Sequence, residues 1–390
     1  MRIGILTETF PGERRVALVP LSIAPLVKAG AEVWLQRGAG TPAGFPDADY
    51  AAKGAIVAER QAILDGADVV LQVRTAAANS QAGAGDVAAL RDGQVVIGLC
   101  EPLTPGPGLS AMAARGVTTF ALELIPRITR AQSMDVLSSM ATIAGYYAVL
   151  IAATALPRMF PMLMTAAGTL APARVLVVGA GVAGLQAIAT ARRLGAKVEA
   201  YDVRPAVKEQ VQSLGAKFVE LALETSAAED TGGYAKAQDE AFYRRQRELL
   251  GQVVAANDVV ITTAAVPGQK APVLVTGDMV AGMAPGSVIV DLAAERGGNC
   301  EVTRADETVV VGGVTVLGPT NVASSLPYHA SQMYAKNITT FLLSMLKKGE
   351  LSMDVGDEIV RETLVTRGGE IVHPRVRQAH DLPALAGTKS

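Results

Sequence analysis

The sequence predicts an α/β protein made of two Rossmann-like, doubly wound parallel-sheet domains joined by long helices. Three observations carry that expectation. Strand-like and helix-like segments alternate over residues 1 to about 125, the pattern of a parallel sheet with helices on both faces. The alternation resumes at Arg174 and runs to about residue 325. Between the two runs, Val136 to Pro157 contains no charged residue, as a long buried helix would.

The first run opens with "RIGIL" as a strand, "SIAPLVKAG" as a helix ending at Gly30 and "EVWLQ" as a strand. "DYAAKGAIVA", "RQAILDGADVVLQV", "QVVIGLC", "GLSAMAARG" and "VTTFALEL" extend it. "TAAANSQAGAG", residues 75–85, reads as a small-residue loop. "FPMLMTAAGTLAPA" reads as a connector. The second run contributes the strands "RVLVV", "KVEAYD", "DVVITTAAV", "GSVIVDLAA" and "VTVLGPTN". "PYHASQMYAKNITTFLLSMLKKG" reads as a long helix returning to the first domain, and the last thirty or so residues as a short strand, "GEIVHP", with a frayed tail. The expected domains are therefore 1–130 with about 326–390, a connecting helix over 131–165, and a Rossmann domain over 145–325.

A chain of 390 residues accommodates two or three domains with large cores. Its net charge of −2 offers neither the basic excess of a nucleic-acid binder nor an acidic tail. Cys100 and Cys300 are far apart and in no zinc-like spacing, so they read as reduced core thiols and no metal site is expected. "MRIGILTETF" lacks the apolar run and cleavage site of a signal peptide. The uncharged segment is long enough to span a bilayer. However, it carries Ser138, Ser139, Thr142, Tyr146, Tyr147 and Thr154, and its small residues Ala141, Ala144, Gly145, Ala148, Ala152 and Ala155 recur at three and four. It reads as a closely packed interdomain helix, leaving no transmembrane segment.

"VLVVGAGVAGLQAIATARRLGAKVEAYD" has the parts of a dinucleotide-binding βαβ unit. Gly179 permits the tight turn, Gly181 lets the backbone approach a pyrophosphate, and Gly184 lets helix and strand pack closely. Asp202 ends the second strand, where a carboxylate accepts hydrogen bonds from the adenosine ribose. Ala180, Val182, Val203 and Ala264 complete the candidate cofactor-binding set. Asp202 would repel a 2′-phosphate, which favours NAD(H). Arg204 is the one argument for NADP(H), and it reads instead as solvated or adenine-facing. Residues 231–246, "TGGYAKAQDEAFYRRQ", form a charged insert that reads equally as a hinged lid or as a plain solvent loop or exposed helix.

A second concentration of chemistry precedes this motif. "PRITRAQSMDVLSSM" gathers Arg127, Arg130, Gln132, Asp135, Ser138 and Ser139 beside nearly uncharged sequence. An amide, a carboxylate and a hydroxyl suit a carboxamide and a ribose, and Arg suits a phosphate. Positions 132, 135 and 139 recur with helical spacing, so one helix start could present several of these groups. Helix capping and salt bridging explain the same residues without a ligand.

These motifs, with "KEQVQSLGAKF", "GGYAK", "ITTAAVPGQKAPVLVT" and "GSVIVDLAAERGGNC", resemble the NAD(H)-binding portion of the proton-translocating nicotinamide nucleotide transhydrogenases. The resemblance runs the length of the chain. That family belongs with the alanine dehydrogenases, whose opening motif is echoed in "GERRVALVP". The resemblance implies that Arg127, Gln132, Asp135 and Ser138 fold over the nicotinamide end of NAD(H) and serve as the catalytic set. It gives Gly233 and Tyr234 a place in a mobile loop, with Gln246 as a weaker carry-over. "TTAAVPG" departs from the family's usual TTALIPG at Ala265 and Val266, a looser apolar wall. The resemblance also implies a homodimer peripheral to the cytoplasmic face of the membrane. Its partners would be an NADP(H)-binding subunit and a membrane-spanning subunit.

An alanine dehydrogenase needs a lysine and a histidine in the first domain for proton transfer. The histidines here are His329, His373 and His380, none within residues 1–125. The strand that carries the lysine in that family reads "LQVRTAA", with Gln72 and Arg74, and the strand for the histidine reads "VIGLCEPL". Arg15 remains, while Glu8 and Glu13 read as solvated or structural. One dinucleotide site without proton-transfer machinery suits direct hydride transfer between two nicotinamides. Such transfer needs close approach, alignment and exclusion of water. The alternatives are a self-contained amino- or oxo-acid dehydrogenase and a non-catalytic NAD-binding protein.

Overall fold

The computed structural model describes residues 1–221, 240–266 and 268–385. It divides into two compact units, Met1–Met140 with Ser324–Ser390, and Ala141–Ala323.

The first unit contains an eight-stranded sheet. Its spatial order is Glu370–Ile371, Leu364–Arg367, Thr118–Ala121, Val95–Leu99, Val69–Arg74, Arg2–Ile5, Glu32–Gln36 and Ile56–Ala58. The six N-terminal strands are all parallel. Counted along the chain they lie in the order 3-2-1-4-5-6, a doubly wound sheet whose direction of growth reverses beside Arg2–Ile5. Central strands such as "VVLQV" are buried and nearly continuously apolar, as strands covered on both faces must be. The long helix Pro327–Met345 buries Ala330, Tyr334, Ile338, Phe341, Leu342 and Met345 at spacings of three and four. Phe341 meets Phe120 edge-on at 5.8 Å.

Two expectations fail here. The short strand expected in "GEIVHP" is present as Glu370–Ile371, but no frayed tail follows it directly: it closes an antiparallel hairpin turned at Gly368 and Gly369, with φ of 60° and 87°, and leads to the helix Pro374–Ala379. The hairpin is easy to overlook because its strands are short, and only Leu364–Arg367 pairs with Thr118–Ala121. Residues 75–85 are no open loop: a turn at Ala76–Ala78 leads into the helix Gly83–Ala89. A Cβ on Gly83 would lie 2.2 Å from the Ala76 carbonyl oxygen, so the small residues permit tight packing there.

The carboxyl ends of the parallel strands gather charged side chains. Glu13 and Arg15 are 0% and 3% exposed and pair through two bonds, Nε–Oε1 at 2.7 Å and Nη2–Oε2 at 2.6 Å. Glu8 accepts the backbone N–H groups of Val73 and Arg74 at 2.6 and 3.0 Å. Glu123 accepts those of Cys100 and Glu101 at 2.6 and 2.8 Å. Glu8 and Glu13 are thus structural rather than solvated. Cys100 and Cys300 are buried and unpaired.

The second unit holds a seven-stranded sheet. In space the order is Lys217–Phe218, Lys197–Tyr201, Arg174–Val178, Val259–Thr262, Val288–Asp291, Val314–Leu317 and Thr308–Val311, the last strand antiparallel. Its six parallel strands repeat the 3-2-1-4-5-6 order. Alternate residues of Arg174–Val178 serve opposite cores. Val175 and Val177 pack with Ala148, Val149, Ala152, Ala187, Ile188 and Ala191. Leu176 and Val178 pack with Leu250, Val254, Val260 and Ile289.

Among the described residues one helix, Val136–Ala155, is long and apolar enough to cross a membrane. Its Ala148, Val149 and Ala152 lie fully inside the second unit's core. The expected connector "FPMLMTAAGTLAPA" contains a two-stranded hairpin, Leu163–Thr165 with Gly168–Leu170, outside both main sheets.

Burial, reinforced by Glu13, raises the Glu8 carboxyl to about 8, and burial with Glu101 nearby raises Glu123 to about 7. Both groups bind protons more tightly folded than unfolded, so their contribution is lost as pH rises through those values. The melting temperature should therefore fall from about pH 5 to about pH 8 and level off above it. A calorimetric scan flat across that window would mean that both carboxyls ionise in the folded chain as they do in the unfolded one.

Candidate functional site

The glycine-rich turn follows the strand Arg174–Val178, beside Val259–Thr262, where the second sheet reverses its order of growth. Doubly wound sheets bind ligands at such points. Gly179 has φ of 99°, and a Cβ there would meet Thr263 Oγ1 at 2.7 Å. A Cβ on Gly184 would lie 1.8 Å from the Gly179 carbonyl oxygen. Gly181 differs: its Cβ would meet nothing within 4 Å. Two glycines are thus required by the fold, and the third leaves backbone open to solvent. Gly181 also caps the helix Val182–Arg193 from an extended conformation, with no side chain satisfying the helix start. The N–H groups of that first turn suit an anion. The turn thus fits a dinucleotide pyrophosphate. Ala180 is buried, while Val182 is 40% exposed at the mouth of the turn.

Asp202 lies behind the turn. Its Oδ2 accepts the Ala180 N–H at 2.7 Å. Its Oδ1 accepts the Arg204 backbone N–H and Nε, each at 2.9 Å, and Arg204 Nη2 lies 2.8 Å from Oδ2. Arg204 is therefore neither solvated nor turned toward an adenine in this conformation. The chain bends after the strand Lys197–Tyr201 and brings its guanidinium back onto the carboxylate two residues earlier. Each Asp202 oxygen already holds two contacts, so ribose hydroxyls must share the carboxylate with Arg204 or displace it. Val203 packs against the neighbouring core.

Ala264 is held by a residue not singled out in the sequence. Asn299 Oδ1 accepts the Ala264 N–H at 2.9 Å, and Asn299 Nδ2 donates to the carbonyls of Ala264 and Pro272 at 2.8 and 2.9 Å. Asp291 accepts from Thr262 Oγ1, Ala293 N, Cys300 N and Thr303 Oγ1 at 2.8–2.9 Å. The two buried side chains fix the loops after the fourth and fifth strands. Their signal was a polar residue ending an apolar strand and another inside "GGNC". Gly233 and Tyr234 lie outside the described residues. Gln246 falls on the helix Glu240–Ala255, with its side chain outside the description, so the 231–246 insert has no structural account as a lid.

In the first unit, Thr129–Met134 is a 3₁₀ helix rather than the start of an α-helix. Gln132 therefore does not share an α-helical face with Ser139. Three residues per turn place Gln132 in register with Thr129, while Ala131 and Met134 form the buried column. Asp135 stands at the junction. Its Oδ1 accepts the Ser138 N–H at 2.9 Å and its Oδ2 accepts the Ser138 hydroxyl at 2.6 Å, which caps the helix Val136–Ala155. Arg130 pairs with Asp357. Capping and ion pairing thus account for part of the polar cluster. Arg127 and Gln132 are exposed, and Asp135 and Ser138 are half-buried.

Farther along that helix, within the second unit, a Cβ on Gly145 would lie 2.0 Å from the Ala183 carbonyl oxygen. The long helix therefore touches the backbone at the start of the glycine-turn helix.

Residues 4–144 match the alanine dehydrogenase/PNT N-terminal domain and residues 148–374 the C-terminal domain. The chain is 48% identical to the first portion of NAD(P) transhydrogenase subunit alpha from Rhodospirillum rubrum, covering 96% of this chain and 98% of that protein. It is 44% identical to the NAD(P) transhydrogenase subunit alpha of Cereibacter sphaeroides, over 96% of this chain and 71% of that longer one. The crystal structure of transhydrogenase from Sinorhizobium meliloti superposes with a TM-score of 0.85 at 47% identity, covering 95% of this chain and all of that one. With both of its domains matched in order, the chain belongs to the alanine dehydrogenase/PNT family, among the alpha subunits of NAD(P) transhydrogenase.

Proposed function

We propose that the chain is the NAD(H)-binding component of a proton-translocating transhydrogenase. It would transfer hydride directly between NAD(H) and NADP(H) held by a partner subunit. The observation that carries the reading is the glycine turn. Gly179 and Gly184 have no space for a side chain, and Gly181 faces open space at the reversal point of the sheet.

Bound NADH supplies a hydride from C4 of its dihydronicotinamide. The Gly181 turn and the N–H groups of the following helix hold the pyrophosphate, and Asp202 receives the adenosine ribose as Arg204 yields. Arg127, Gln132, Asp135 and Ser138 hold the carboxamide, the nearby ribose and the phosphate. The Asp135–Ser138 cap fixes two of these groups before any ligand arrives, so less ordering is needed on binding. No residue of the chain has to move a proton for this reaction. Arg15, which would meet a carboxylate substrate in a dehydrogenase, is bound through two bonds by Glu13.

The Rhodospirillum relative is one portion of an alpha subunit, which implies further portions, and we assign NADP(H) and proton translocation to them. A homodimer agrees with the hairpin at 163–170, whose Met164 and Leu170 are 78% and 48% exposed beside Met162 at 57%. The assembly would sit at the cytoplasmic face of the membrane through its partners.

The test is hydride transfer from NADH to an NADP analogue of shifted absorbance, with and without the NADP-binding domain of a transhydrogenase. Transfer should require that domain, and pyruvate with ammonia should oxidise no NADH. Partner-independent oxidation by pyruvate and ammonia would instead establish a self-contained dehydrogenase. Gln132→Asn should slow transfer about tenfold while leaving NADH affinity within about twofold; an unchanged rate would remove Gln132 from the reaction site.

The glycines give an independent check. Gly181→Val should melt like the parent yet bind NADH at least about tenfold more weakly. Gly184→Ala should cost about 1–3 kcal/mol of stability through overpacking. Equal melting of both variants, or undiminished NADH binding by Gly181→Val, would contradict the assignment.

A further inference from the structure

The 3₁₀ segment Thr129–Met134 is longer than such helices usually run unsupported. Besides the packing of Ala131 and Met134, two side-chain tethers among the described residues hold it, both from the C-terminal part of the first unit. Arg130 Nη1 and Nη2 meet Asp357 Oδ2 and Oδ1, each at 2.8 Å, a parallel two-bond pair. Asn337, on the helix Pro327–Met345, donates from Nδ2 to the Ser133 carbonyl at 2.9 Å. In a three-residue turn, positions 130 and 133 stack as one column and 129 and 132 as the next. Both tethers thus engage the column beside Gln132, and neither uses the Gln132 side chain.

We infer that Arg130, Asp357 and Asn337 are positioning residues for hydride transfer, holding the Thr129–Met134 turn so that Gln132 is presented in one orientation. The inference rests on the reading of Gln132 as a nicotinamide contact. Asn337 is 6% exposed, so the donor end of its bond to Ser133 is buried while Ser133 itself faces solvent. Asp357 has a second fixed duty, accepting the Ile359 N–H at 2.8 Å as cap of the helix Glu358–Thr363. One end of the tether is therefore anchored in secondary structure. Arg130 holds the Asp357 carboxyl down to about 2, so the pair stays charged across any working pH. An exposed single ion pair contributes little to stability, but a small orientational error at a hydride donor can cost much in rate. A tether of this kind acts on geometry more than on folding.

The exposed end of the tether gives the cleaner variants. Arg130→Gln removes the charge, and Asp357→Asn keeps a capping side chain while removing the ion pair. Single-turnover transfer with the NADP-binding domain, NADH affinity and melting temperature are measured on the full chain. Each single variant should slow transfer about fivefold to tenfold, with NADH affinity within about twofold and little change in melting. The double variant should be no slower than either single, because both remove one interaction. Arg130→Lys should recover part of the rate. Unchanged transfer in these variants, with Gln132→Asn still slow, would overturn the positioning role and leave the Gln132 reading standing. Rate, affinity and melting all falling together would make the tether merely structural. No effect from Gln132→Asn itself would remove the reading beneath the inference.

Discussion

Backbone contact without side chains is the constraint on which the second unit depends. Gly145 lets the long helix touch Ala183, and Gly184 lets the next helix touch Gly179. Gly179 in turn sits against Thr263. Three elements therefore meet at distances that a single methyl group would prevent. The glycine turn is where they converge, so its conformation is set before a ligand arrives. The absence of a side chain at Gly181 serves no packing need, which makes it the position that points to a ligand. Asp291 and Asn299 complete the frame by fixing the two loops after the fourth and fifth strands, so the walls of the turn are as rigid as its floor.

The first unit shows the same strand order used differently. Its reversal point, beside Arg2–Ile5, is occupied by the chain's own groups. Glu13 engages Arg15, while Glu8 and Glu123 satisfy backbone N–H groups of neighbouring strands. The contacts we propose for the nicotinamide lie instead at the end of the unit, where Thr129–Met134 leads into the capped helix. A doubly wound sheet does not by itself specify a ligand site. Which groups occupy its crevice decides that.

Much of the fold was legible because parallel strands buried on both faces leave unmistakable apolar runs. The six parallel strands of the second sheet include Lys217–Phe218, which is too short for such a run. The antiparallel hairpin at the end of the first sheet leaves little pattern for the same reason. At the candidate site, residue types pointed to the glycine turn and Asp202, since Gly179 and Gly184 answer local backbone demands and Gly181 completes the spacing between them. They did not reveal the Arg204 pair, because a guanidinium two residues away can turn out or back with no change in pattern. Nor did they reveal the 3₁₀ turn. Residues 132, 135 and 139 satisfy an α-helical spacing, but Asp135 is needed as a cap and so breaks the series. The tether from Arg130 to Asp357 joins residues too far apart in sequence to be read from it.

The central claim is that hydride passes from one nicotinamide to another with no proton-transfer group in between. It is tested most directly by placing deuterium at the transferring C4 position of NADH and following the label into the NADP analogue in ordinary water, with the partner domain present. The account predicts that the label arrives undiluted and that the solvent acquires none. Loss of label to water would contradict it, because an exchanging group on the chain would then have to lie on the path.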